Sequence, residues 1–487
     1  MIQYSHMIEA KSDRPREKCA VVGVSTKNLG SDSARIVYQA LFALQHRGVE
    51  GSGIVASGNA ISLNVKRGSG MVRDVYSNSD LDALTGKTAI GHNRYSTDGG
   101  RDAHLQPAIS ETINFAFAHN GNIPDTSDLT AYLKERRYAT GQYNDSELFG
   151  NAIASKLHGG RTLIEAVREA AELVVGAYSC VAMYENILVG FRDPHGIRPL
   201  ELGKFDGGII IASETCALDT VGAEHTRSIK PGELVAVKNG KIIATKQLAK
   251  PLPKLDVFEI VYFARHDSYL YGQRINEVRR RFGQQLARMH PPRQKNTDNI
   301  IVTAVPDTSV PAAEGYAAAL GLSNETAIIK NRYIGRTFMQ PSQDSRRSSL
   351  RLKHTMISER IKGRDVIMID DSIVRGNTLP RLVELAKDLG AHSVTALIAS
   401  PPIRFPDFYG VDTPKQSALM AANMSVEEMR KKIGADYLGF LNVSAMVEAT
   451  GVPRDELNLA SFTGEYPVSI GKRSIDIKEP VSKEYME

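Results

Sequence analysis

Residues 364–378, RDVIMIDDSIVRGNT, constrain the fold of this chain more than any other stretch. Residues 366–369 form an unbroken apolar run, which predicts a short strand buried on both faces. The run ends in two carboxylates, Asp370 and Asp371, and apolar residues at helical spacing begin at Leu379. The pattern therefore predicts a strand, an acidic pair, a short loop and a helix.

This order of elements favours a bound sugar phosphate. The first N–H groups of a helix point toward the loop that precedes it, and the helix dipole favours an anion there. Adjacent carboxylates at a strand end can accept hydrogen bonds from a diol or bind Mg²⁺. The alternative is an ordinary strand-to-helix turn with a solvated acidic pair, which is what such a pair usually is when it stands alone.

The whole stretch resembles the motif that binds phosphoribosylpyrophosphate (PRPP) in type I phosphoribosyltransferases. The resemblance implies that Asp370 and Asp371 bind the ribose hydroxyls or the metal, one Mg²⁺ per subunit. It also implies that the loop binds the 5′-phosphate, through Ser372, Arg375, Gly376, Asn377 and Thr378. The chemistry would be displacement of pyrophosphate from a ribose carbon.

Two further segments resemble the same family. An apolar run at 300–305 is followed by Asp307, Thr308 and Ser309, where the family has its pyrophosphate turn. Ser309 matches a residue near the metal in that family. Residues 330–346 are rich in cations and resemble the loop that closes over PRPP, which implies pyrophosphate contacts from Lys330, Arg332 and Arg336. A solvated basic loop is the alternative for this segment.

Composition sets outer limits on the function. A chain of 487 residues predicts two or three domains, and 42% hydrophobic with 24% charged residues is ordinary for a soluble protein. The net charge of +5, from 60 basic and 55 acidic residues, is too small to indicate nucleic acid, although it suits a polyphosphate substrate. No apolar run approaches the ~20 residues of a membrane span. Three cysteines are too few for a disulfide framework, so we expect a cytoplasmic protein.

The N-terminal half begins with a polar, charged leader at 1–18. Because this leader has no apolar core, it does not resemble a secretory signal. Cys19 and an apolar run at 20–24 follow. The sequence then carries four polar motifs in order: QHRG at 45–48, GHNRYST at 91–97, AHNGN at 118–122 and NDSE at 144–147.

Together these segments resemble the class II, N-terminal-nucleophile glutamine amidotransferases. The resemblance implies that Cys19 becomes the first residue once the leader is removed, and that its thiol is the nucleophile. A free α-amine has a pKa near ~8, so part of it is neutral and can act as the local base. The family usually has glycine after the cysteine, whereas this chain has Ala20.

The resemblance also assigns roles to the polar motifs. Arg94 would bind the α-carboxylate of glutamine, and Asp145 its α-ammonium group. The Asn120 side chain and the Gly121 N–H would form the oxyanion hole. We interpret the histidines of these motifs as structural, and the remaining two cysteines as core residues: His46, His92, His119, Cys180 and Cys216.

The rest of the chain completes a two-domain prediction. Short apolar runs separated by turns fill residues 173–243, with a hairpin signal at Asn239–Gly240. Prolines at 251 and 253 mark a linker. We therefore predict a propeptide at 1–18, an αββα amidotransferase sandwich at 19–250, and a phosphoribosyltransferase domain with a parallel sheet and a C-terminal extension at 251–487.

Joined in this order, the two halves resemble enzymes that make phosphoribosylamine from glutamine, PRPP and water, the first step of purine synthesis. That resemblance implies internal transfer of ammonia, feedback by purine nucleotides, a homotetramer, and no nucleic acid or membrane partner. The alternatives are a PRPP- or nucleotide-binding regulator, and a phosphoribosyltransferase that uses free ammonia because its glutaminase half is impaired.

One branch of such enzymes carries a [4Fe–4S] cluster on four cysteines. The corresponding positions here are all polar and lack a thiol: Asp256, Asp407, Asn458 and Ser461. Because thiolates are the usual cluster ligands, we predict that this chain has no iron–sulfur cluster.

Overall fold

The computed structural model describes residues 16–17, 19–27, 33–58, 62–94, 104–292, 297–331, 354–413 and 415–487. The strands of the first half are β1 (Arg16–Glu17), β2 (Cys19–Thr26), β3 (Gly51–Ala56), β4 (Asn64–Ser69), β5 (Thr88–Arg94), β6 (Ala108–Ser110), β7 (Phe115–Asp125), β8 (Val175–Tyr184), β9 (Ile187–Arg192), β10 (Glu201–Phe205), β11 (Gly208–Ala212), β12 (Glu224–Ser228), β13 (Glu233–Lys238) and β14 (Lys241–Gln247). Its helices are α1 (Ser33–Ala43), α2 (Val72–Val75), α3 (Asn78–Ala83), α4 (Ser127–Glu135), α5 (Asp145–His158), α6 (Leu163–Ala171) and α7 (Thr215–Thr220).

The second half alternates strands with helices. Its strands are β15 (Leu255–Asp256), β16 (Tyr269–Leu270), β17 (Gln273–Arg274), β18 (Ile300–Ala304), β19 (Ser323–Asn324), β20 (Ile328–Lys330), β21 (His354–Met356), β22 (Asp365–Asp370), β23 (Ser393–Ile398), β24 (Val411–Asp412), β25 (Tyr437–Phe440) and β26 (Leu457–Asn458). Its helices are α8 (Ile275–Met289), α9 (Val310–Leu320), α10 (Ser358–Ile361), α11 (Leu379–Asp388), α12 (Met420–Asn423), α13 (Val426–Ile433), α14 (Val443–Thr450) and α15 (Ala460–Thr463).

Two antiparallel sheets form the centre of the first half. The described strands pair in the orders β12-β10-β11-β2-β5-β3-β4 and β14-β13-β9-β8-β7-β6. Side chains alternate along β2, so Val21 packs between the two sheets and Val22 packs toward α1. Helices α4, α5 and α6 cover the outer face of the second sheet. The αββα sandwich predicted from the sequence is confirmed.

Aromatic packing holds the second sheet to its helices. Phe149 of α5 lies against Phe117 of β7 and Phe191 of β9, with ring centroids 5.4 Å and 6.0 Å apart. All three rings are buried. Edge-to-face pairs at such distances add stabilisation beyond the burial of apolar area. This packing fixes β7, whose last residues lie in the candidate site described below.

A parallel sheet forms the centre of the second half. Its described strands run in the order β19-β18-β22-β23-β25, and each pair of neighbours is parallel. Along β22, Met368 packs on one face of the sheet and Ile367 on the other. The strand is buried on both faces, as its apolar run predicts. The sandwich of the first half and the parallel sheet of the second half together confirm the predicted fold class.

The order of the strands determines where the site residues of the second half lie. Ala304, the last residue of β18, is paired with Ile369 of β22. The turn at 305–309 and the loop at 370–378 therefore meet at the carboxyl edge of one sheet. That edge is where ligands bind in open parallel sheets.

Residues 248–254 have no regular structure between β14 and β15, at the place where the sequence predicts a linker. Among the helices that the structure describes, none has the length and apolar character needed to cross a membrane.

Two glycines allow α8 and α9 to pack at backbone distance. A Cβ on Gly283 would lie 1.9 Å from the Ala312 carbonyl oxygen, and one on Gly315 would lie 2.0 Å from that of Arg280. Helix α9 begins directly after the 305–309 turn, so this contact also positions one side of the sheet edge.

We predict that Gly283→Ala lowers the melting temperature by several degrees. Alanine favours a helix by about 1 kcal/mol over glycine, but overpacking against a backbone carbonyl costs about 1–3 kcal/mol and forces the helices apart. The measurement is thermal unfolding. Gly141→Ala is the matched control, because a Cβ there would have no neighbour within 4 Å. An unchanged or higher melting temperature for Gly283→Ala would contradict the packing argument.

Candidate functional site

A cavity of about 1100 Å³ contains four of the residues singled out in the first half. Cys19, Arg94, Gly121 and Asp145 all line it. The sheet register explains part of this arrangement, because Cys19 at the start of β2 is paired with Arg94 at the end of β5. Both side chains are mostly buried. Residues 95–103, which complete the motif around Arg94, lie outside the described residues.

Asn120 lies in β7 directly before the cavity-lining Gly121 and is fully buried. Its side-chain amide has no hydrogen-bond partner within the part of the chain that the structure describes. A buried polar group is normally hydrogen-bonded, because leaving it unsatisfied costs about 1–3 kcal/mol. An unsatisfied amide beside a cavity is what a preorganised donor for an oxyanion requires.

Gly121 has a backbone conformation that only glycine adopts readily, with φ of +150°. A Cβ there would also lie 2.0 Å from the Ala177 carbonyl oxygen of β8. Backbone and neighbour therefore both require glycine at this position.

Asp145 is the first residue of α5, and Asn144 caps that helix by accepting from the Glu147 N–H. One carboxylate oxygen of Asp145 accepts from Ile123 N at 3.0 Å, and the other from Ser146 N at 2.9 Å. These two backbone bonds fix the carboxylate at the wall of the cavity.

The histidines of these motifs have partners or surroundings that fit structural roles. Burial, with the nearby Arg94 and His119, lowers the pKa of His92 to about 3, so its ring is neutral. The His119 ring lies 2.9 Å from Ser146 Oγ, and the His46 ring lies 2.7 Å from Glu214. The two other cysteines lie in the core, where burial raises the pKa of both thiols.

The second group of candidate residues lies at the carboxyl edge of the parallel sheet. Asp370 and Asp371 are buried there, and Asp371 N donates to Asp370 Oδ1 at 3.0 Å. Ser372 Oγ donates to Asp371 Oδ1 at 2.6 Å. The loop then passes Gly376, which packs against Met420, and α11 begins after Thr378.

The neighbouring turn contributes further polar groups. Asp307 is exposed and pairs with Lys330 at 2.7 Å, which brings one predicted pyrophosphate ligand to this edge. Ser309 is buried at the start of α9, and its hydroxyl donates to the Val305 carbonyl oxygen. Arg332 and Arg336 lie outside the described residues.

The oxygen donors at this edge suit Mg²⁺. Asp370, Asp371 and the lone pairs of Ser309 Oγ are hard oxygen ligands, and Mg²⁺ typically binds one or two carboxylates together with phosphate or water oxygens. Within the described ranges, no group of three or more His, Cys, Asp or Glu residues is arranged to hold a metal by itself. The residues therefore fit an ion that a phosphate substrate helps to bind.

Sequence reasoning missed two groups near this edge, Arg279 and His266. Arg279 is buried on the apolar face of α8 and donates to the Ile260 and Ala264 carbonyl oxygens and to the His266 ring. Burial lowers the pKa of Arg279 to about 10, although the charge of Asp371 opposes that shift. A charged residue within an apolar helical stripe was the signal that could have revealed it.

Buried charges connect the two halves of the chain. Arg47 pairs with Glu214 and with Glu259, the latter at 2.5 Å. Arg198 pairs with Glu259 at 2.8 Å and with Asp256 at 2.6 Å. All five side chains are buried. Arg47 belongs to the QHRG motif, whereas Arg198 and Glu214 lie outside the four polar motifs of the first half.

Asp256 holds a proton more readily than an ordinary carboxyl. Burial raises its pKa to about 7 against the opposing charge of Arg198, and Asp407 and Glu259 raise it further. Of the other positions that correspond to the cluster ligands, Asn458 is the register partner of Asp256, and the Ser461 carbonyl oxygen accepts from the Arg404 N–H. That no cluster binds here stays a prediction.

Comparison with known families agrees with this geometry. A family model described as a glutamine amidotransferase domain matches residues 92–220. An amidophosphoribosyltransferase of Synechococcus elongatus is 40% identical over 468 residues, which cover 94% of this chain and 93% of the relative. The amidophosphoribosyltransferase of Bacillus subtilis is 37% identical over 476 residues, covering 96% and 98%. The chloroplastic amidophosphoribosyltransferase 2 of Arabidopsis thaliana is 40% identical over 460 residues, covering 94% and 80%.

Two solved structures are similar over nearly the whole chain. The glutamine PRPP amidotransferase from B. subtilis, complexed with ADP and GMP, superposes with a TM-score of 0.84 at 36% identity, covering 93% of this chain and 98% of that one. A structure described as the allosteric regulatory enzyme of purine biosynthesis superposes with a TM-score of 0.86 at 36% identity, covering 94% and 99%.

The charge network predicts a pH-dependent stability. Because its folded pKa is about 7 and its ordinary value is 3.8, Asp256 keeps a proton in the folded state that the unfolded chain has already lost. Its contribution to stability is full below the ordinary value and is lost as the pH rises through about 7.

We therefore expect the melting temperature of Asp256→Asn, relative to the unsubstituted protein, to rise by a few degrees between pH 5 and pH 8. The substitution removes the titrating group but keeps an acceptor for the Phe258 N–H. Thermal unfolding across this pH range measures the difference. Asp206→Asn, in the exposed turn after β10, is the control and should show a constant difference. A pH-independent difference for Asp256→Asn would contradict the assignment.

Proposed function

Because this chain belongs to the amidophosphoribosyltransferase family, we propose that the Cys19 cavity and the Asp370–Asp371 edge are the two active sites of one enzyme. The reaction converts glutamine, PRPP and water to 5-phosphoribosylamine, glutamate and pyrophosphate, the first step of de novo purine synthesis. One observation carries the proposal. Cys19, Arg94, Gly121 and Asp145, which are distant in sequence, line one cavity.

The first step is attack of the Cys19 thiol sulfur on the side-chain amide carbon of glutamine. The thiol proton passes to the α-amine of Cys19, which is free once residues 1–18 have been removed. The negative charge on the former carbonyl oxygen is stabilised by the Gly121 N–H and the Asn120 amide. The amine returns the proton to the leaving nitrogen, which departs as ammonia, and water then hydrolyses the thioester to glutamate.

Glutamine is oriented by its α-substituents. The planar guanidinium of Arg94 suits a carboxylate, because it can donate two parallel hydrogen bonds. Asp145, whose carboxylate is fixed by Ile123 N and Ser146 N, would accept from the α-ammonium group. The two charges discriminate a free amino acid from a peptide side chain.

PRPP would bind at the sheet edge. The acidic pair would accept hydrogen bonds from the ribose hydroxyls, and the 5′-phosphate would lie in the loop before α11, contacted by Ser372, Arg375, Gly376, Asn377 and Thr378. Pyrophosphate would be bound by Asp307, Thr308, Lys330, Arg332 and Arg336. Mg²⁺, held by Asp370, Asp371 and Ser309 with the substrate, would supply positive charge beside the leaving pyrophosphate.

Ammonia attacks C1 of PRPP, and the C1–O bond to pyrophosphate breaks with the electron pair going to pyrophosphate. An enclosed route keeps ammonia from being protonated in bulk water. Contacts in the second half support such a route. Gln416, Ala422 and Asn423 line the glutamine cavity, while Met420 in the same segment donates its N–H to the Val374 carbonyl oxygen and packs on Gly376 of the phosphate loop. One segment thus contacts both sites.

Further properties belong to the same proposal. We place the mature glutaminase domain at 19–250 and the phosphoribosyltransferase domain at 251–487, and we expect a cytoplasmic homotetramer. The B. subtilis relative was solved with ADP and GMP, which supports purine nucleotides as feedback inhibitors.

N-terminal sequencing of the purified protein tests removal of the leader, and the amine-as-base mechanism fails unless the mature chain begins at Cys19.

We predict that Cys19→Ala lowers the glutamine-dependent rate by at least about a thousandfold, because the nucleophile is lost. The ammonia-dependent rate should stay within about twofold of the unsubstituted enzyme, because it does not require the first site. Pyrophosphate release with each nitrogen source measures both rates. Cys180→Ala, a change in the buried core, is the control and should keep both rates.

The same assay distinguishes the alternatives. An unsubstituted protein with neither rate would favour a nucleotide-binding regulator. An ammonia-dependent rate without a glutamine-dependent one would favour a phosphoribosyltransferase with an impaired glutaminase half.

We predict that Asp371→Asn lowers both rates, by about a hundredfold, because an interaction with ribose or metal serves both nitrogen sources. Asp365→Asn is the matched control, since Asp365 starts the same strand at the opposite end and bonds to Ser393. Asp365→Asn should reduce stability more than activity. Unchanged PRPP kinetics in Asp371→Asn would contradict the assignment of the acidic pair.

A further inference from the structure

Residues 407–413 of the second half, here termed the docking segment, reach across to the glutaminase site. Asn122, one residue beyond Gly121, donates its side-chain N–H to the Phe408 carbonyl oxygen at 2.8 Å. The backbone of Gly410 lies against that of Gly121. Strand β24, at the end of the segment, pairs with β1, which lies just before Cys19. One short segment thus contacts both β7, the strand that carries Gly121, and the start of the glutaminase half.

The contact between Gly121 and Gly410 is a contact between backbones. A Cβ on Gly410 would lie 3.3 Å from the Gly121 Cα and 3.5 Å from Arg198 Cδ. Gly410 also has a positive φ of +123°, which glycine adopts at little cost. Ala177 of β8 also lies against Gly121, so two neighbouring backbones constrain the position of the Gly121 N–H.

Internal hydrogen bonds fix the shape of the docking segment. Asp407 Oδ1 accepts from Tyr409 N at 2.8 Å and from Val411 N at 2.9 Å. Thr413 Oγ1 accepts from Asp407 N at 2.6 Å. A carboxylate that accepts two backbone N–H groups in this way closes a tight turn and presents Gly410 at its tip.

Packing anchors the same turn to both halves. The Tyr409 side chain is fully buried in a small apolar cluster with Ala177 and Ile197 of the first half and Val468 and Ile470 of the second. Its hydroxyl donates to the Val468 carbonyl oxygen. Because close-packed contacts transmit displacement rather than absorb it, the turn cannot shift without moving the strand it touches.

We infer that the docking segment is a positioning element of the glutaminase reaction. Gly410 holds the Gly121 N–H at the place where the oxyanion forms, and Asp407 holds Gly410. Gly410 is not among the residues that line the Cys19 cavity; Asp407 lines it and acts on Gly410 through the hydrogen bonds of the turn. The inference rests on the proposed oxyanion role of Gly121, and it makes the glutaminase site incomplete without the second half of the chain.

Gly410→Ala tests the inference. The added methyl group strains the backbone and displaces Gly121, and a misplacement of about 1 Å in a catalytic group costs about a hundredfold in rate. We expect the kcat for glutamine hydrolysis to fall about ten- to hundredfold, with the KM for glutamine within about threefold, since Arg94 and Asp145 are untouched. The ammonia-dependent rate should change by less than about twofold.

Gly70→Ala is the matched control, because Gly70 has nearly the same φ, +121°, but a Cβ there would approach only Asp74 and Val75. It should keep both rates. Intact mass shows whether each variant has lost its leader, and rates are compared per mature chain. An unchanged kcat with glutamine in Gly410→Ala, or an equal loss of both rates, would overturn the inference.

A pair of variants at Asp407 keeps the test decisive if Gly410→Ala does not fold. Asp407→Ala removes the acceptor of the turn and should lower the glutamine-dependent kcat selectively, whereas Asp407→Asn keeps an acceptor and should restore it. Equal effects of the two variants would overturn the inference. Asn120→Ala reports separately on the proposed function, because a normal glutaminase rate in that variant refutes the oxyanion hole itself.

Discussion

Glu259 joins the two halves of this chain through two buried ion pairs. It lies in the second half and accepts from Arg47 and Arg198, both of which come from the antiparallel sandwich. Burying such ions costs several kcal/mol each, and only well-formed pairs offset the cost. Breaking one pair by removing a partner costs about 3–5 kcal/mol, because the other charge stays buried. The geometry of a two-donor guanidinium therefore specifies how the halves meet, and both proposed active sites depend on that arrangement.

The charges within the same network shift the pKa values of its carboxyls. Three buried carboxyls, Glu214, Glu259 and Asp256, face two arginines. Although burial acts against it, Arg47 and then His46 hold the pKa of Glu214 well below its usual range. Asp256 shares Arg198 with Glu259, and burial raises its pKa to about 7. In a polar interface of this kind, every displaced partner leaves an unpaired buried charge.

The sequence was informative where local pattern and chemistry coincide. The strand, acidic pair and helix at 365–388 follow from an apolar run, two carboxylates and helical spacing, and the hairpin at Asn239–Gly240 from its turn residues. The features that the sequence did not predict depend on contacts between residues that are distant along the chain. Nothing local shows that the charge of Asp371 acts on Arg279, or that Gly410 lies against Gly121. Arg332 and Arg336 lie outside the described residues, so their predicted roles are untouched by the geometry.

The pairing of β1 with β24 bears on the order of events in synthesis and folding. Residues 16–17 are among the first to be made, whereas their strand partner at 411–412 appears only when most of the chain exists. Contacts of such sequence separation form late, since their loop-closure entropy must first be offset by other contacts. Residues 16–17 therefore find their strand partner only after the second half has folded. The pairing of residues 16–17 would thus distinguish a completed chain from a partial one before the proposed release of Cys19.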